Sequence, residues 1–365
     1  MAAPLATRNW RQSSVSRAVA ARATSARAEE GARQRAILAG LEVSVLAIAL
    51  VSLFLGRYPI DPSTLVRVVA SRLVPVERTW VDNVETVVWN IRLPRVAMAM
   101  FVGGSLAISG AAFQGMFRNP LVSPDILGVT AGGGFGAALA ILLGGNTLAI
   151  QLSALCFGVA AVALTYLIGR IYRTTPTLML VLAGIVVGSI FSALLSLIKY
   201  VADPNEKLPA IVFWLMGSLS TVSKSETVSA IPPMAAGIAT LLAVRWRINI
   251  LSLGDEEARA LGVKVELLKG VIIVACTLIT ATAVSVCGII GWVGLVIPHI
   301  GRLLVGPNHR WLLPASLLLG SGYLILIDDL SRTITAAEVP LGILTALIGA
   351  PFFALMLRRT RGGWH

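Results

Sequence analysis

The chain has 365 residues, of which 56% are hydrophobic and only 13% charged, and its mean hydropathy is +0.83. Soluble domains carry roughly a quarter charged residues, so these proportions exclude a water-soluble globular fold and predict an all-α integral membrane protein. The formal net charge of +12 comes without aromatic interleaving or a recognisable module for nucleic acid, and no nucleic-acid partner is expected.

Residues 1–36 are rich in Arg, Ala and Ser, lack an apolar core before Ile37, and predict a basic, disordered cytoplasmic tail rather than a secretory signal. A spanning helix needs about 20 mostly apolar residues. Ten stretches qualify, near 37–56, 93–115, 126–144, 148–168, 177–198, 226–244, 266–287, 289–304, 311–327 and 340–357. The stretch 289–304 is short and carries Pro298. Together they predict one polytopic domain over 37–357, followed by a short basic end at 358–365.

With the N-terminus inside and ten spans, 20 of the 30 Lys and Arg residues fall on the side of the termini. The positive-inside rule then places both termini in the cytoplasm, and the excess charge faces anionic lipid of the bilayer.

Arg92 to Gly136 is dense in glycine: Gly103, Gly104, Gly110 and Gly115 precede Asn119-Pro120-Leu121, and Gly128, Gly132, Gly133, Gly134 and Gly136 follow it. In water such helices are penalised by up to about 1 kcal/mol per glycine. In a bilayer the same residues allow close helix packing.

Two polar segments are long enough to carry function. Residues 57–92 lie outside by this topology, and 245–265 lie inside. The inner one contains Gly254-Asp255-Glu256-Glu257-Ala258-Arg259-Ala260-Leu261-Gly262, with an acidic first turn and a glycine stop that predict a short helix. Ala258, Leu261 and Val263 offer a small apolar surface. By spacing alone the pattern fits first an ordinary amphipathic cytoplasmic loop, and as the sharper alternative a docking helix for a cytoplasmic partner.

What is missing constrains function as strongly. No lysine follows a glycine, so there is no Walker-A loop and no ATP site of that kind. His299, His309 and His365 form no zinc-type pair. Cys156, Cys276 and Cys287 lie in apolar runs and are expected to be small, buried and inert. No catalytic constellation, metal site or cofactor is expected. Asp328, Asp329, Arg332 and Glu338 lie between the last two spans, at the outer surface by this topology, rather than at the mid-membrane depth of a proton relay.

Several motifs resemble, in order along the chain, those of the FecCD-type permeases. They are Ile91-Arg92-Leu93-Pro94-Arg95, Asn119-Pro120-Leu121 with Pro124 and Leu127-Gly128, Leu182-Ala183-Gly184, the run from Gly291 to His299 with Arg302, and the run from Leu341 to Pro351. These permeases are the membrane subunits of binding-protein-dependent ABC importers for iron chelates, haem and cobalamin. The resemblance covers about residues 37–357 and leaves the N-terminal tail outside.

It implies a type II ABC importer permease of about ten transmembrane helices in the bacterial inner membrane. It further implies a homodimer around the translocation path, two separate cytoplasmic ATPase subunits and one periplasmic substrate-binding protein. The chain itself would be a transporter, not an enzyme. Arg92, Arg95 and Arg332 resemble the arginines that pair with glutamates of the binding protein, a use that the planar guanidinium suits. Asn119 and Leu121 match the inner constriction, with Thr175 and Thr177 as its second element, although Pro176 unsettles that register. Gly254, Asp255, Glu256, Ala258, Arg259, Leu261 and Gly262 match the coupling region that docks into the ATPase. The expected cargo is a bulky metal chelate, first a ferric siderophore, with haem, cobalamin and molybdate as alternatives. The reading from a different class is a secondary transporter without an ATPase.

Overall fold

The computed structural model describes residues 8–72, 74–75, 77–170 and 176–359, and every regular element among them is helical. In chain order these are α1 (Arg8–Phe54), α2 (Pro62–Ala70), α3 (Asp82–Thr86), α4 (Leu93–Phe117), α5 (Val129–Leu142), α6 (Thr147–Gly169), α7 (Thr177–Val201), α8 (Lys207–Leu215), α9 (Lys224–Leu251), α10 (Asp255–Ala260), α11 (Val265–Cys287), α12 (Val293–Val305), α13 (His309–Thr333) and α14 (Leu341–Arg359). Each of the ten predicted spans coincides with a helix. Seven are long and apolar enough to cross a bilayer, and three are shorter: α5, α12 and the stretch Leu341–Met356 of α14.

Two boundaries differ from expectation. The first helix begins at Arg8, so the basic tail is helical over its described part rather than disordered. Its Ala, Arg, Gln and Glu residues are strong helix formers, and no proline interrupts them. The outer segment 57–92 is also structured. It holds α2 and α3, and a π-helical turn at Val87–Arg92 joins α3 to α4 without a break. The short helix α8, between α7 and α9, had no counterpart among the predicted elements.

Helix α4 is the centre of the domain. Its apolar window is 83% buried and that of α11 72%, against 17% for α1 and 22% for α6. This burial requires the small residues of α4. A Cβ on Gly103 would lie 2.2 Å from the carbonyl oxygen of Gly320 on α13, and one on Gly320 would lie 2.3 Å from that of Gly103. The two backbones touch, and only glycine on both sides permits it. Gly132 and Gly136 of α5 make the same kind of approach to α6. The glycines of the Arg92–Gly136 stretch therefore act as predicted, within one chain.

Helix α12 has 13 residues, about 20 Å of rise, which is short of the roughly 30 Å hydrocarbon thickness. The irregular run Gly288–Trp292 precedes it, and Gly294 at its start packs against Pro124 and the backbone of α4. Irregular backbone at membrane depth is tolerated where protein covers it. Here Cys287 O accepts from Ser218 N at 2.8 Å, and Met216 O accepts from Gly342 N at 3.0 Å.

Candidate functional site at the inner end

The end of the domain that the charge distribution assigns to the cytoplasm carries α10. Gly254 caps it at φ 147°, a conformation that favours glycine, and Gly262 ends it at φ 80°. Three acidic residues fill its first turn and Arg259 its last, as the helix dipole favours. Ala258 is buried against the chain's own core, so it is not part of an outward apolar surface. Leu261 and Leu253 are, each 62% exposed.

Two ion pairs fasten this helix to α11. Lys269 Nζ lies 2.6 Å from Asp255 Oδ2, with the lysine side chain fully buried and the aspartate 26% exposed. Arg259 Nη2 lies 3.1 Å from Glu266 Oε1. One clamp holds each end of α10, so a force on the helix passes directly to a buried membrane helix. Neither Lys269 nor Glu266 was among the residues expected from sequence. The only local signal was a basic and an acidic residue one helix away from the acidic turn.

The C-terminus of α4 forms the neighbouring wall. Arg118 adopts a left-handed conformation (φ 51°, ψ 35°). The Arg118 N–H donates to Gly115 O and that of Asn119 to Gln114 O at 3.1 Å, which closes the helix end. Asn119 Oδ1 then accepts from Leu121 N at 2.9 Å, an Asx-type turn that directs the chain into Pro120. The side chain of Asn119 thus builds the turn, and that of Leu121 is exposed beside it.

A cavity of about 720 Å³ brings these parts together. Asn119 lines it from the α4 turn, Thr177 from the start of α7, and Gly254, Asp255 and Glu256 from the start of α10. Asn119 and Thr177 thus meet Gly254, Asp255 and Glu256 at one place, although Asn119 lies 135 residues and Thr177 77 residues before Gly254 in sequence. Leu121 does not line this cavity, and Thr175 lies outside the described residues.

The outer end holds the three arginines expected to dock the binding protein. Arg92, Arg95 and Arg332 are all buried, where the docking reading needs them at the surface. Arg95 forks onto two carboxylates: Nε donates to Asp328 Oδ2 at 2.9 Å, Nη2 to Asp328 Oδ1 at 2.8 Å, and Nη1 to Glu338 Oε1 at 3.0 Å. Arg332 donates to Ser52 O at 2.9 Å and pairs with Asp329, while Arg92 donates to Leu53 O at 2.7 Å and to Tyr58 O. Asp328, Asp329 and Arg332 are not in a loop between spans but on α13, buried within its last turns. The physical reason is charge balance. Arg95 and Arg332 are compensated inside by Asp328, Asp329 and Glu338, and Arg92 is satisfied by backbone carbonyls alone, so the first two are stabilised by internal partners. Burial opposes ionisation of Glu338, yet the hydrogen bonds from Arg95 outweigh it and hold that carboxyl below its usual range.

The cysteines divide. Cys276 and Cys287 are buried as expected, but Cys156 is exposed on α6. Among the described residues no group of His, Cys, Asp and Glu is arranged to hold a metal ion.

Comparison with known proteins agrees with this architecture. The chain is 42% identical over 90% of its length, and 96% of the relative's, to the molybdate import system permease protein MolB of Haemophilus influenzae. It is 42% identical over 77% of its length to a "Probable iron chelatin transport system permease protein" of Helicobacter pylori, covering 85% of that protein. A solved ABC transporter described as of metal-chelate type, in an inward-facing conformation, superposes with a TM-score of 0.78 at 42% identity. That match covers 89% of this chain and 99% of the other. The sequence profile of the FecCD transport family matches residues 44–359, and the chain belongs to that family.

Proposed function

We propose that this protein is the permease subunit of an ATP-driven importer, working in the inner membrane as a homodimer with two cytoplasmic ATPase subunits and a periplasmic binding protein. The observation that carries the reading is the inner cavity, where α10, clamped to α11 by Asp255–Lys269, faces the Asn119 turn and Thr177. A helix that is short, rigidly fastened and tipped with exposed Leu253 and Leu261 is suited to receive a push from an ATPase and pass it to a constriction. Transport then follows from a shift between two arrangements of the dimer, driven by ATP bound elsewhere.

Helix α7 supports the dimer. Its apolar window is only 28% buried, and its exposed surface carries Ser189, Ser192 and Ser196. Ser189 and Ser196 satisfy their hydroxyls on carbonyls of their own helix. A face of serines at membrane depth suits an aqueous path between two copies better than lipid.

The cargo we favour is a metal chelate such as a ferric siderophore, as the relative named for iron chelatin suggests. Molybdate is the second reading, favoured by the long match to MolB. Binding-protein docking falls to exposed groups of the outer segment rather than to the three buried arginines. Arg57, Arg67, Arg72 and Arg78 are exposed cations there, with Arg72 and Arg78 in solvent-exposed ion pairs to Glu85 and Asp82. Reconstitution into proteoliposomes with its ATPase and binding protein tests the assignment. Uptake is expected only with both partners and ATP, and gradient-driven uptake by the chain alone would establish a secondary transporter instead.

A further inference from the structure

A second inner cavity, of about 750 Å³, shares the Arg118–Asn119 turn as a wall with the first but opens toward α12 and α13. Nothing in the transport reading uses it. Gln114, Arg118, Asn119, His299, Arg302 and His309 line it, and no Asp or Glu does among the described residues.

Arg302 is its distinctive feature. Nη1 donates to Gln114 Oε1 at 2.7 Å, while Nη2 is buried with no hydrogen-bond partner. None of the ion pairs among the described residues includes it. Gln114 cannot turn away, because its Nε2 donates to Val122 O at 3.2 Å and to Gly294 O at 3.3 Å. The glutamine therefore aims the guanidinium without neutralising it. At the outer end Arg95 and Arg332 have carboxylates to balance them and Arg92 has carbonyls on both terminal nitrogens, whereas the half-buried Arg302 has neither a carboxylate nor any partner for its buried Nη2. A desolvated cation in that position is stabilised by an anion from outside the chain. The positive end of α13, a 25-residue helix that begins at His309, adds to the attraction. Arg118 is exposed at the rim and supplies a second full charge.

We propose that this cavity binds a tetrahedral oxyanion, held by Arg302 within and Arg118 at the mouth. The fork of a guanidinium matches two oxygens of such an ion. The volume accepts either a free oxyanion or the phosphate of an inner-leaflet lipid headgroup. The site is defined on one chain and does not depend on the importer reading.

The test uses the full chain purified in detergent. Sodium molybdate, sulfate and phosphate are titrated calorimetrically against chloride at matched ionic strength, and co-purifying phospholipid is counted by native mass spectrometry. Saturable oxyanion binding identifies a free ion as the ligand. Phospholipid retention without free-ion binding identifies the lipid phosphate. In either case Arg302→Met weakens binding by about tenfold or more, as loss of a charge-assisted contact requires, and Arg302→Lys retains part of it. Arg118→Gln, which keeps the backbone cap of α4 and removes only an exposed charge, weakens binding as well, while Arg310→Gln outside the cavity leaves it unchanged. Absence of both free-ion binding and bound phospholipid, or binding indifferent to Arg302→Met and Arg118→Gln, overturns the proposal.

Discussion

Replacing Asp255 will damage the protein more than replacing its partner Lys269, although both changes break the same ion pair. At 2.6 Å the two charges attract by about 6 kcal/mol at an effective dielectric of 20, and desolvation of the lysine offsets much of this. The two ends of the pair differ in exposure. The Lys269 side chain is fully buried, whereas Asp255 is 26% exposed. Asp255→Leu therefore takes the carboxylate away from a fully buried ammonium, at a cost of about 3–5 kcal/mol. Lys269→Met returns the aspartate to water and substitutes an apolar chain of similar length, at about 1–2 kcal/mol. The double variant recovers most of the loss, since a buried pair exchanged for apolar groups is close to neutral. Thermal melting of the purified protein in detergent, at about 2–4 °C per kcal/mol, reads the ranking directly. Equal shifts, or a larger one for Lys269→Met, would refute the asymmetry and with it the view that α10 is clamped from the membrane side.

Further outcomes follow from the outer network and the helix crossings. Arg95→Met is expected to destabilise by about 3–5 kcal/mol, and adding Asp328→Leu with Glu338→Gln to restore much of it. Loss of binding-protein stimulation in an Arg92→Glu, Arg332→Glu variant then accompanies a lowered melting temperature, whereas normal melting with lost stimulation would return these arginines to docking. Because the folded Glu338 carboxyl is held below its usual range, its stabilising contribution is complete above the unfolded value of about 4.3 and is lost as pH falls through the folded value. Glu338→Gln should flatten the acid limb of a melting-temperature profile, and an unchanged limb would contradict the pairing. Gly103→Val forces a side chain into the Gly320 carbonyl and should cost at least about 1–3 kcal/mol, while the same change at Gly188, where nothing lies within 4 Å, should be mild.

The parts of this protein that sequence revealed are those whose signals are local. Ten apolar runs became ten helices because hydropathy is summed over a window, and α10 was legible because its acidic turn and both glycines lie within nine residues. The half-length of α12 was hinted at by Pro298, but its cause, the glycine-backbone contacts at Gly294, is a matter of tertiary packing. The burial of the outer arginines is not legible in sequence for a related reason. Arg92 and Arg95 sit at a helix end, where exposure is the usual expectation, and their partners Leu53 and Asp328 lie 39 and 233 residues away. Nothing local to Arg95 announces a carboxylate fork, just as nothing beside Gln114 announces Arg302. The N-terminal extension of α1 has no apolar periodicity to announce it and rests on alanine and arginine propensity alone.

Under the proposed function, α10 delivers the work of a separate ATPase to the inner cavity. Site-specific photo-crosslinking in intact cells tests it most directly, with the probe in place of Leu261, exposed on that segment, and in place of Val228, exposed near the start of α9 at the opposite end. The account predicts that the Leu261 probe captures an ATP-binding subunit, that the Val228 probe does not, and that Leu261→Asp removes ATP-driven uptake while leaving the protein folded. An absence of any nucleotide-binding partner at Leu261, with transport surviving Leu261→Asp, would contradict it.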